Sequence, residues 1–440
     1  MIVKNAWICR INNTSVEPVF GDIRITDGKI AEINEKPFNP SKDFSKSSGG
    51  KDTLNADGRV VTIPLINFHD HFYSRLAKGL LIKGKMDSFK NILKNLWWKL
   101  DFILDEEMIK ASAQMAVLES IRQGITYIFD HHSSPQSSAG SLEIIANVMK
   151  EIDLRGVLCF EATNRNGSEL AAEGIKENKD FVEKNSDDIK SLLGLHASFT
   201  LSDESLSTAS EILKKYNLGI HIHLCEDKVD KEESMKNYGV SPIERLRKFH
   251  LLNNKSILSH GIHLSEKDYE TICEFGCAIA YNPDSNLNNA VGLARLKNIP
   301  VEIQILTGTD GMHSNPAKSL KQLFLLSRHC GMSFDESFAL VKRIYFDQFN
   351  FIKKYFQDFS SLNIDDRADL ILWDYIPPTP ISKDNFLGHY VYGIVERPVH
   401  SVLQNGKLLM KEFQLQFDDS NYNKNIVEQG HRLYNKFLAE

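Results

Sequence analysis

Two histidines one residue apart, His69 and His71, directly follow an apolar run in the segment INFHDHF (66–72). Because residues i and i+2 of a β-strand point to the same face, we expect the two imidazoles to point the same way. Two imidazoles on one face can bind a single divalent metal ion. The same spacing also occurs by chance at strand ends, where histidines are solvated or hydrogen-bonded. A metal site therefore requires further ligands elsewhere in the chain.

Further imidazole and carboxylate groups follow other short apolar runs. They are His196, His223, Glu226, His260 and Asp310. Each has an ordinary explanation when taken singly: His223 as a hydrogen-bonded core histidine, Asp310 as a helix cap and Glu226 as part of a solvated acidic helix face. Taken together, at the ends of so many apolar runs, they predict a metal centre.

The middle of the chain alternates short apolar, strand-like runs with longer segments of helical spacing. We count eight such runs: 60–69, 124–132, 155–163, 191–198, 218–226, 256–263, 277–283 and 301–310. Apolar strands that alternate with helices predict an α/β fold with a parallel sheet, and eight units predict a closed, TIM-like (β/α)8 barrel. In such barrels the chemistry takes place at the carboxyl ends of the strands, where the candidate residues fall.

Both ends of the chain have β-type patterns. Asp27-Gly28 lies between two alternating segments and predicts a tight hairpin, and Asn405-Gly406 does the same near the other end. Residues 36–52 are rich in Lys, Ser and Gly and predict a loop. We predict that segments 1–60 and 365–440 form one small composite β-sandwich domain with a C-terminal helix. The barrel then occupies residues 61–364.

The composition excludes several classes of protein. The 440 residues include 42% hydrophobic and 25% charged residues, with a net charge of −6, and no basic stripe indicates nucleic-acid binding. No apolar run is long enough to span a bilayer, the N-terminus lacks the apolar core of a signal peptide, and the six cysteines are scattered. We expect a cytoplasmic protein that acts on a small-molecule substrate. We also expect the protein to form a homo-oligomer, a dimer or larger.

Several motifs resemble those of the amidohydrolase superfamily, in its mononuclear, deaminase-like branch. They are NFHDHFYSRLAKG (67–79), HIHLCED (221–227), SHGIHLSEKD (259–268) and TGTDG (307–311). More narrowly, LWWKLDFILDEE (96–107), FDHHSSP (129–135) and NPDSNLNNAVG (282–292) resemble the SsnA-type aminohydrolases. The resemblance implies a metal-dependent barrel with a composite β-sandwich, which agrees with the pattern of elements.

The resemblance also implies a role for each candidate residue. The metal ligands fall on His69, His71, His223 and Asp310, and the catalytic residues on Glu226, His260 and Asp310. Three imidazoles and a carboxylate can hold zinc, or alternatively iron(II), and leave a position for water. Glu226 would carry a proton and His260 would polarise the substrate or orient the water.

One metal ion per chain is expected. Binuclear relatives need a bridging residue on the fourth strand, commonly a modified lysine, whereas this strand ends in His196.

Four further residues are candidate substrate contacts. They are His196, Arg165, Trp97 and Asn286. Arg165 can equally be a solvent-facing loop arginine, and of Trp97 and Trp98 one can belong to the core. Tyr281 occupies the position where the SsnA-type loop has histidine, so we do not assign the substrate of that group to this protein.

These residues predict a metal-dependent hydrolase of a C–N bond in a nitrogen heterocycle, purine-like, acting by deamination or by ring opening. The resemblance points to purine catabolism. One alternative is a deaminase of another nucleobase or nucleoside derivative, or a hydrolytic dechlorinase. An alternative of another class is a catalytically silent oligomeric scaffold. Glu226 argues against the scaffold, because a purely structural metal site has no use for a proton carrier.

Overall fold

The computed structural model describes residues 1–39 and 52–439, which fall into two compact units. The first unit comprises 1–66, 119–126 and 334–419, and the second comprises 67–118, 127–333 and the chain from Ser420 onward. The predicted domain boundaries, and the two-layer sandwich, remain predictions. Most of the predicted loop at 36–52 lies outside the described residues.

The first unit contains a nine-stranded sheet built from both ends of the chain. Its strands are β1 (Ile2–Asn12), β2 (Ser15–Thr26), β3 (Lys29–Glu35), β4 (Thr53–Asn55), β5 (Val60–Thr62), β15 (Leu370–Trp373), β16 (Val399–Gln404), β17 (Lys407–Lys411) and β18 (Gln414–Leu415). The hydrogen-bonded order is β18-β17-β16-β15-β5-β1-β2-β3, with β4 beside β1. Asp27-Gly28 and Asn405-Gly406 have positive φ at both residues and turn the two predicted hairpins.

The other strands are parallel and form two sheets. They are β6 (Leu65–Asp70), β7 (Ile125–His132), β8 (Arg155–Phe160), β9 (Ile189–Ser191), β10 (Leu193–Ala197), β11 (Ile220–Leu224), β12 (Ile257–His260), β13 (Ala278–Tyr281) and β14 (Ile305–Thr307). The first sheet runs β6-β7-β8-β9 and the second runs β10-β11-β12-β13-β14. Since β9 and β10 are two halves of the fourth strand, this set corresponds to the eight predicted strands.

Single bridges join these two sheets at both edges. Asp70, the last residue of β6, pairs with Asp310, which follows β14, and Ala162, which follows β8, pairs with Leu195 of β10. Both bridges are parallel, so the eight strands follow one another around a ring. The predicted α/β class is confirmed.

The first predicted barrel strand, 60–69, is divided in the structure. Val60–Thr62 pairs with β1 and β15 in the nine-stranded sheet, whereas Leu65–Asp70 joins the parallel strands. Pro64 lies between the two pieces and has no backbone N–H to donate to a ladder, which explains why one continuous strand does not form.

Helices alternate with the parallel strands. They are α1 (Phe89–Ile92), α2 (Trp98–Phe102), α3 (Glu106–Arg122), α4 (Ser141–Glu151), α5 (Ser168–Val182), α6 (Asp203–Tyr216), α7 (Lys228–Tyr238), α8 (Pro242–Lys248), α9 (Glu266–Phe275), α10 (Pro283–Asn288), α11 (Pro316–His329), α12 (Phe334–Ile352), α13 (Phe386–Tyr392) and α14 (Ser420–Ala439). Ser202, Asp227 and Ser265 cap the N-termini of α6, α7 and α9 with their side chains. Among the described residues, no helix combines the length and apolarity needed to cross a membrane.

Candidate metal centre and active site

His71 and His223 present the same ring nitrogen to the centre of the barrel end. Nδ1 of His71 lies 2.6 Å from the carbonyl oxygen of His131, and Nδ1 of His223 lies 3.0 Å from the carbonyl oxygen of His196. A carbonyl oxygen only accepts, so each Nδ1 carries a proton and, in the neutral ring, each Nε2 keeps a lone pair. A metal-ligating histidine is commonly held in this way. Both side chains are therefore prepared to bind a cation through Nε2.

His69 has its Nε2 atom buried without a hydrogen-bond partner among the described residues. Its other nitrogen, Nδ1, lies 2.9 Å from Nε2 of His221, which is also 3.1 Å from the hydroxyl of Ser259. A buried polar atom without a partner is unfavourable unless a ligand satisfies it. Together with the two neighbouring imidazoles, this atom is the observation that best fits a metal ion.

Asp310 completes the donor set. Nε2 of His71 lies 3.1 Å from Nε2 of His223 and 3.1 Å from Oδ1 of Asp310, and Nε2 of His69 lies 3.9 Å from that oxygen. Two ligands of a tetrahedral zinc, each at about 2.0–2.1 Å from the ion, are roughly 3.3 Å apart. These separations and the nitrogen and oxygen donors fit a divalent metal ion bound by His69, His71, His223 and Asp310.

The electrostatics of Asp310 are those of a carboxylate held among imidazoles. Burial would raise its pKa, but the imidazole of His71 lowers the pKa of Asp310 below its ordinary value. Burial would lower the pKa of His71, but the Asp310 carboxylate raises it to about 9. The proton on His71 balances this charge, and a divalent cation would displace that proton. Ser285 donates to Oδ2 of Asp310, and the backbone N–H of Gly311 donates to Oδ1 at 2.7 Å.

Glu226 and His260 face each other beside the carboxylate of Asp310. Oε2 of Glu226 lies 3.5 Å from Nε2 of His260, which is also 3.9 Å from Oδ2 of Asp310. Burial and then repulsion by Asp310 raise the pKa of Glu226 well above its ordinary value, while burial lowers the pKa of His260 to about 4. A carboxyl group that holds a proton readily, next to a neutral imidazole, suits proton transfer.

The ends of the barrel strands hold these side chains in unusual backbone conformations. Cys225, His260 and Asp310 all have positive φ, at 49°, 75° and 54°. Such strain in residues other than glycine concentrates at functional sites. Gly308 allows a close approach of chains, because an added Cβ would lie 2.3 Å from Oδ1 of Asn282 and 2.6 Å from Cβ of His69.

A cavity of about 660 Å3, including its open mouth, adjoins this centre. Three of the four predicted substrate contacts line it, namely Trp97, Arg165 and His196. The fourth, Asn286, is not among the lining residues, and its amide nitrogen lies 2.8 Å from Nδ1 of His260. Trp98 lines the cavity beside Trp97, so the structure places neither tryptophan wholly in the core.

Arg165 is neither solvent-facing nor free. Its side chain is 7% exposed and forms an ion pair with Asp101, while its Nη1 lies 3.8 Å from Oε1 of Glu161. Nε2 of His196 lies 3.6 Å from the same glutamate oxygen. Burial raises the pKa of Glu161 to about 8. This wall of the cavity therefore has several polar groups, and the guanidinium of Arg165 is already paired with Asp101.

Two residues of the site were not found from the sequence. Nδ2 of Asn289 donates to Oε1 of Glu226 at 3.4 Å and to the hydroxyl of Ser285 at 3.3 Å. The i, i+4 spacing of Ser285 and Asn289 after a barrel strand was the available signal. Asp101 binds Arg165 and the hydroxyl of Ser133, and no local pattern distinguishes it from other acidic residues of its segment.

The amidohydrolase family profile matches residues 60–409 of the chain. A relative, the 5-methylthioadenosine/S-adenosylhomocysteine deaminase of Desulforudis audaxviator, is 24% identical over 431 residues, which cover 93% of each chain. The structure of an adenosine deaminase from Xanthomonas campestris with bound zinc has a TM-score of 0.79 at 17% identity and covers 99% of this chain and 98% of that one. Atrazine chlorohydrolase from Arthrobacter aurescens, complexed with zinc, has a TM-score of 0.75 at 16% identity, with 98% and 99% covered. The predicted fold is confirmed by these likenesses.

Proposed function

The chain belongs to the amidohydrolase family, a group of hydrolases acting on carbon–nitrogen bonds, and we propose that it deaminates a purine-like heterocycle. The substrate class that we infer is a nucleoside with an adenine-type base. The relatives named as deaminases of 5-methylthioadenosine and S-adenosylhomocysteine, and of 5'-deoxyadenosine, support this choice of base.

The observation that carries the proposal is the pairing of Glu226 with His260 beside the metal-binding donor set. Glu226 also lines the cavity, so a substrate there would meet its carboxyl group. A metal site that only stabilised the fold would not need a proton carrier within 3.5 Å of a second polar side chain. The Glu226–His260 pair and the neighbouring metal-binding donor set together favour a hydrolase over a catalytically silent scaffold.

A divalent metal held by His69, His71, His223 and Asp310 would supply the Lewis acidity that makes a water molecule nucleophilic at neutral pH. Glu226 would accept one proton from the attacking water and pass it to the departing exocyclic nitrogen. The second proton of the water would end on a ring nitrogen, so that water and the amino heterocycle become the oxo heterocycle and ammonia. His260 donates a hydrogen bond from Nε2 to the oxygen that becomes bound to the ring carbon. The walls of the cavity orient the base and exclude bulk water.

Further details of the proposal concern the metal ion and the setting. We propose one zinc ion per chain, with iron(II) as the alternative, held by His69, His71, His223 and Asp310. The strand-four position of a bridging lysine is occupied by His196, which supports a single ion. We further propose that the enzyme is cytoplasmic, that it forms a homo-oligomer and that it acts in purine catabolism.

The test is Glu226→Gln in zinc-loaded protein, assayed for ammonia and by mass spectrometry. The panel holds adenine nucleosides, other purines, ring-opened ureides and a chlorinated triazine. Glutamine preserves the size of the side chain but cannot carry a proton at neutral pH. We expect an unchanged metal content and a kcat lower by about 10²-fold or more on the best substrate.

Glu232→Gln is the matched control, because Glu232 is an exposed residue of α7, the helix that follows Glu226. It should leave turnover unchanged. Near-normal turnover in metal-loaded Glu226→Gln would refute the proton-carrier role. Release of chloride without ammonia would replace the deaminase with a dechlorinase, and elemental analysis showing two tightly held metal ions would refute the single site.

A further inference from the structure

We propose that Asn286 fixes His260 in the tautomer that carries its proton on Nε2. His260 is then a hydrogen-bond donor at the site and not a metal ligand. Asn286 is accordingly a positioning residue that acts through His260. The inference rests on the proposed function, because it assigns a task to a residue of the same site.

The first argument comes from what surrounds Nδ1 of His260. The amide nitrogen of Asn286 lies 2.8 Å away, and that of Asn282 lies 3.5 Å away. An amide NH2 group donates and does not accept. The amide nitrogen of Asn282 also faces the carbonyl oxygen of Ala280 at 3.4 Å, and this acceptor sets the orientation of that amide. Nδ1 of His260 is therefore an acceptor, so the proton of the neutral ring is on Nε2.

The second argument is independent of how the amides are oriented. Nε2 of His260 faces Oε2 of Glu226 at 3.5 Å and Oδ2 of Asp310 at 3.9 Å. Oδ2 of Asp310 belongs to a carboxylate and can accept a hydrogen bond. A lone pair on Nε2 would be repelled by it, whereas an N–H is attracted. The groups on both sides of the ring thus favour the same tautomer.

The surroundings of Nδ1 separate His260 from the histidines assigned to the metal. Nδ1 of His71 and Nδ1 of His223 each face a backbone carbonyl oxygen, so in the neutral rings their Nε2 atoms carry lone pairs. Nδ1 of His260 faces donors instead. Asn286 is 3% exposed, and its backbone N–H donates to the carbonyl oxygen of Asn282 at 3.0 Å. Among His71, His223 and His260, the partner of Nδ1 therefore determines the form in which Nε2 faces the site.

The experiment compares wild type with Asn286→Asp in zinc-loaded enzyme labelled with 15N-histidine. One-bond N–H couplings show which ring nitrogen carries the proton, and His260→Asn identifies the resonances by their loss. Wild type should show the proton of His260 on Nε2. An aspartate at 286 has only acceptors, so Asn286→Asp should place a proton on Nδ1. Asn288→Asp adds the same charge at an exposed position of α10, and His260 should keep the same tautomer as in wild type.

Activity gives a second readout on the best substrate of the panel. Asn286→Asp should lower kcat by about 10²-fold, the scale for losing one preorganised donor, with metal content and KM little changed. Asn286→Ala should lose less activity, because Asp310 still favours a proton on Nε2. A purely structural asparagine would instead reduce stability in both variants equally and leave kcat per folded molecule intact.

The outcomes separate this inference from the proposed function. Wild-type protein with the proton on Nδ1, or Asn286→Asp with an unchanged tautomer, would overturn the inference whatever the substrate proves to be. A panel without any turnover would instead refute the proposed function, while the NMR result would still decide the tautomer.

Discussion

At the scale of single residues, the site depends on where each proton is held. The backbone carbonyl oxygens of His131 and His196 each accept from a ring Nδ1, which leaves a lone pair on Nε2 of His71 and of His223. These contacts join residues far apart in the chain and involve no ionised partner. Each ring is therefore oriented with Nε2 toward the centre, and a metal ion would displace the further proton that Asp310 favours on His71.

Asp130, a carboxyl group next to the site, predicts a pH dependence of stability. It is fully buried, and its Oδ1 accepts the backbone N–H of Phe72 at 2.7 Å. Burial raises its pKa from 3.8 to about 8. Between these two values the unfolded chain is ionised while the folded chain keeps the proton, so unfolding releases a proton. Rising pH therefore destabilises the fold through Asp130, and the effect is complete above about pH 8.

Asp130→Asn should remove this dependence, because asparagine keeps the acceptor for Phe72 and cannot ionise. As the pH rises from about 5 to 7, the free energy of unfolding of the variant should increase relative to that of wild type, by at most about 1.4 kcal/mol per pH unit. Urea unfolding at several pH values measures the difference. The exposed Asp187→Asn is the control. Parallel curves for wild type and Asp130→Asn would contradict the assignment.

At the scale of elements, one helix supplies the cap of another. Helix α4 begins after Gly140, which has no side chain to accept its first N–H groups. Glu177 of α5 accepts instead, from the backbone N–H of Gly140 at 2.8 Å and of Leu142 at 3.0 Å. A carboxylate at a helix N-terminus also interacts favourably with the helix dipole. The two helices that follow barrel strands β7 and β8 are joined in this way.

Glu177→Ala should therefore lower the free energy of unfolding by about 1–2 kcal/mol, the usual cost of losing an N-terminal cap. Glu177→Gln keeps one acceptor oxygen and should lose less. Equilibrium unfolding in urea measures both. Glu173→Ala changes an exposed glutamate of the same helix and should have little effect. If Glu177→Ala were no less stable than Glu173→Ala, the shared cap would be wrong.

At the scale of the whole molecule, the chain has a net charge of −6, and carboxyl groups outnumber guanidinium and ammonium groups in the cavity beside the candidate metal centre. Five carboxyl groups line that cavity, namely Glu161, Glu226, Asp227, Asp230 and Asp310. Arg165 is its only guanidinium or ammonium group among the described residues, and Asp101 already pairs with it. Burial raises the pKa of Glu161 to about 8 and that of Asp230 to about 7. The cavity wall therefore offers a negatively charged ligand no unpaired guanidinium or ammonium group.

We therefore expect the enzyme to prefer an uncharged nucleoside to the corresponding monophosphate. A phosphate would find no unpaired cationic side chain on the cavity wall, so kcat/KM for the monophosphate should be at least about 10-fold lower, which corresponds to about 1.4 kcal/mol. Steady-state assays of an adenine nucleoside and its monophosphate at equal ionic strength make the comparison. Equal values for both would show that the phosphate stays outside the cavity or is neutralised elsewhere.

Much of the architecture follows from the sequence because its signals are local. The apolar runs predict the parallel strands, the Asp27-Gly28 and Asn405-Gly406 pairs predict the hairpins that form, and the family predicted from the motifs is confirmed. Histidine and carboxylate at strand ends already place the chemistry at one end of a barrel, since parallel strands align their carboxyl ends. The roles assigned to the site residues remain predictions for the experiments above.

Only the tertiary structure determines which groups meet. Nδ1 of His69 contacts a ring 152 residues away, Arg165 pairs with a carboxylate 64 residues earlier, and Asn286 contacts His260 instead of the cavity. Pro64 interrupts the first predicted strand, but only the tertiary structure shows that its two pieces join different sheets. Side-chain periodicity and turn preferences depend on neighbours within about four residues. The partners of buried polar groups depend on contacts between distant segments, and those contacts arise only when the strands come together.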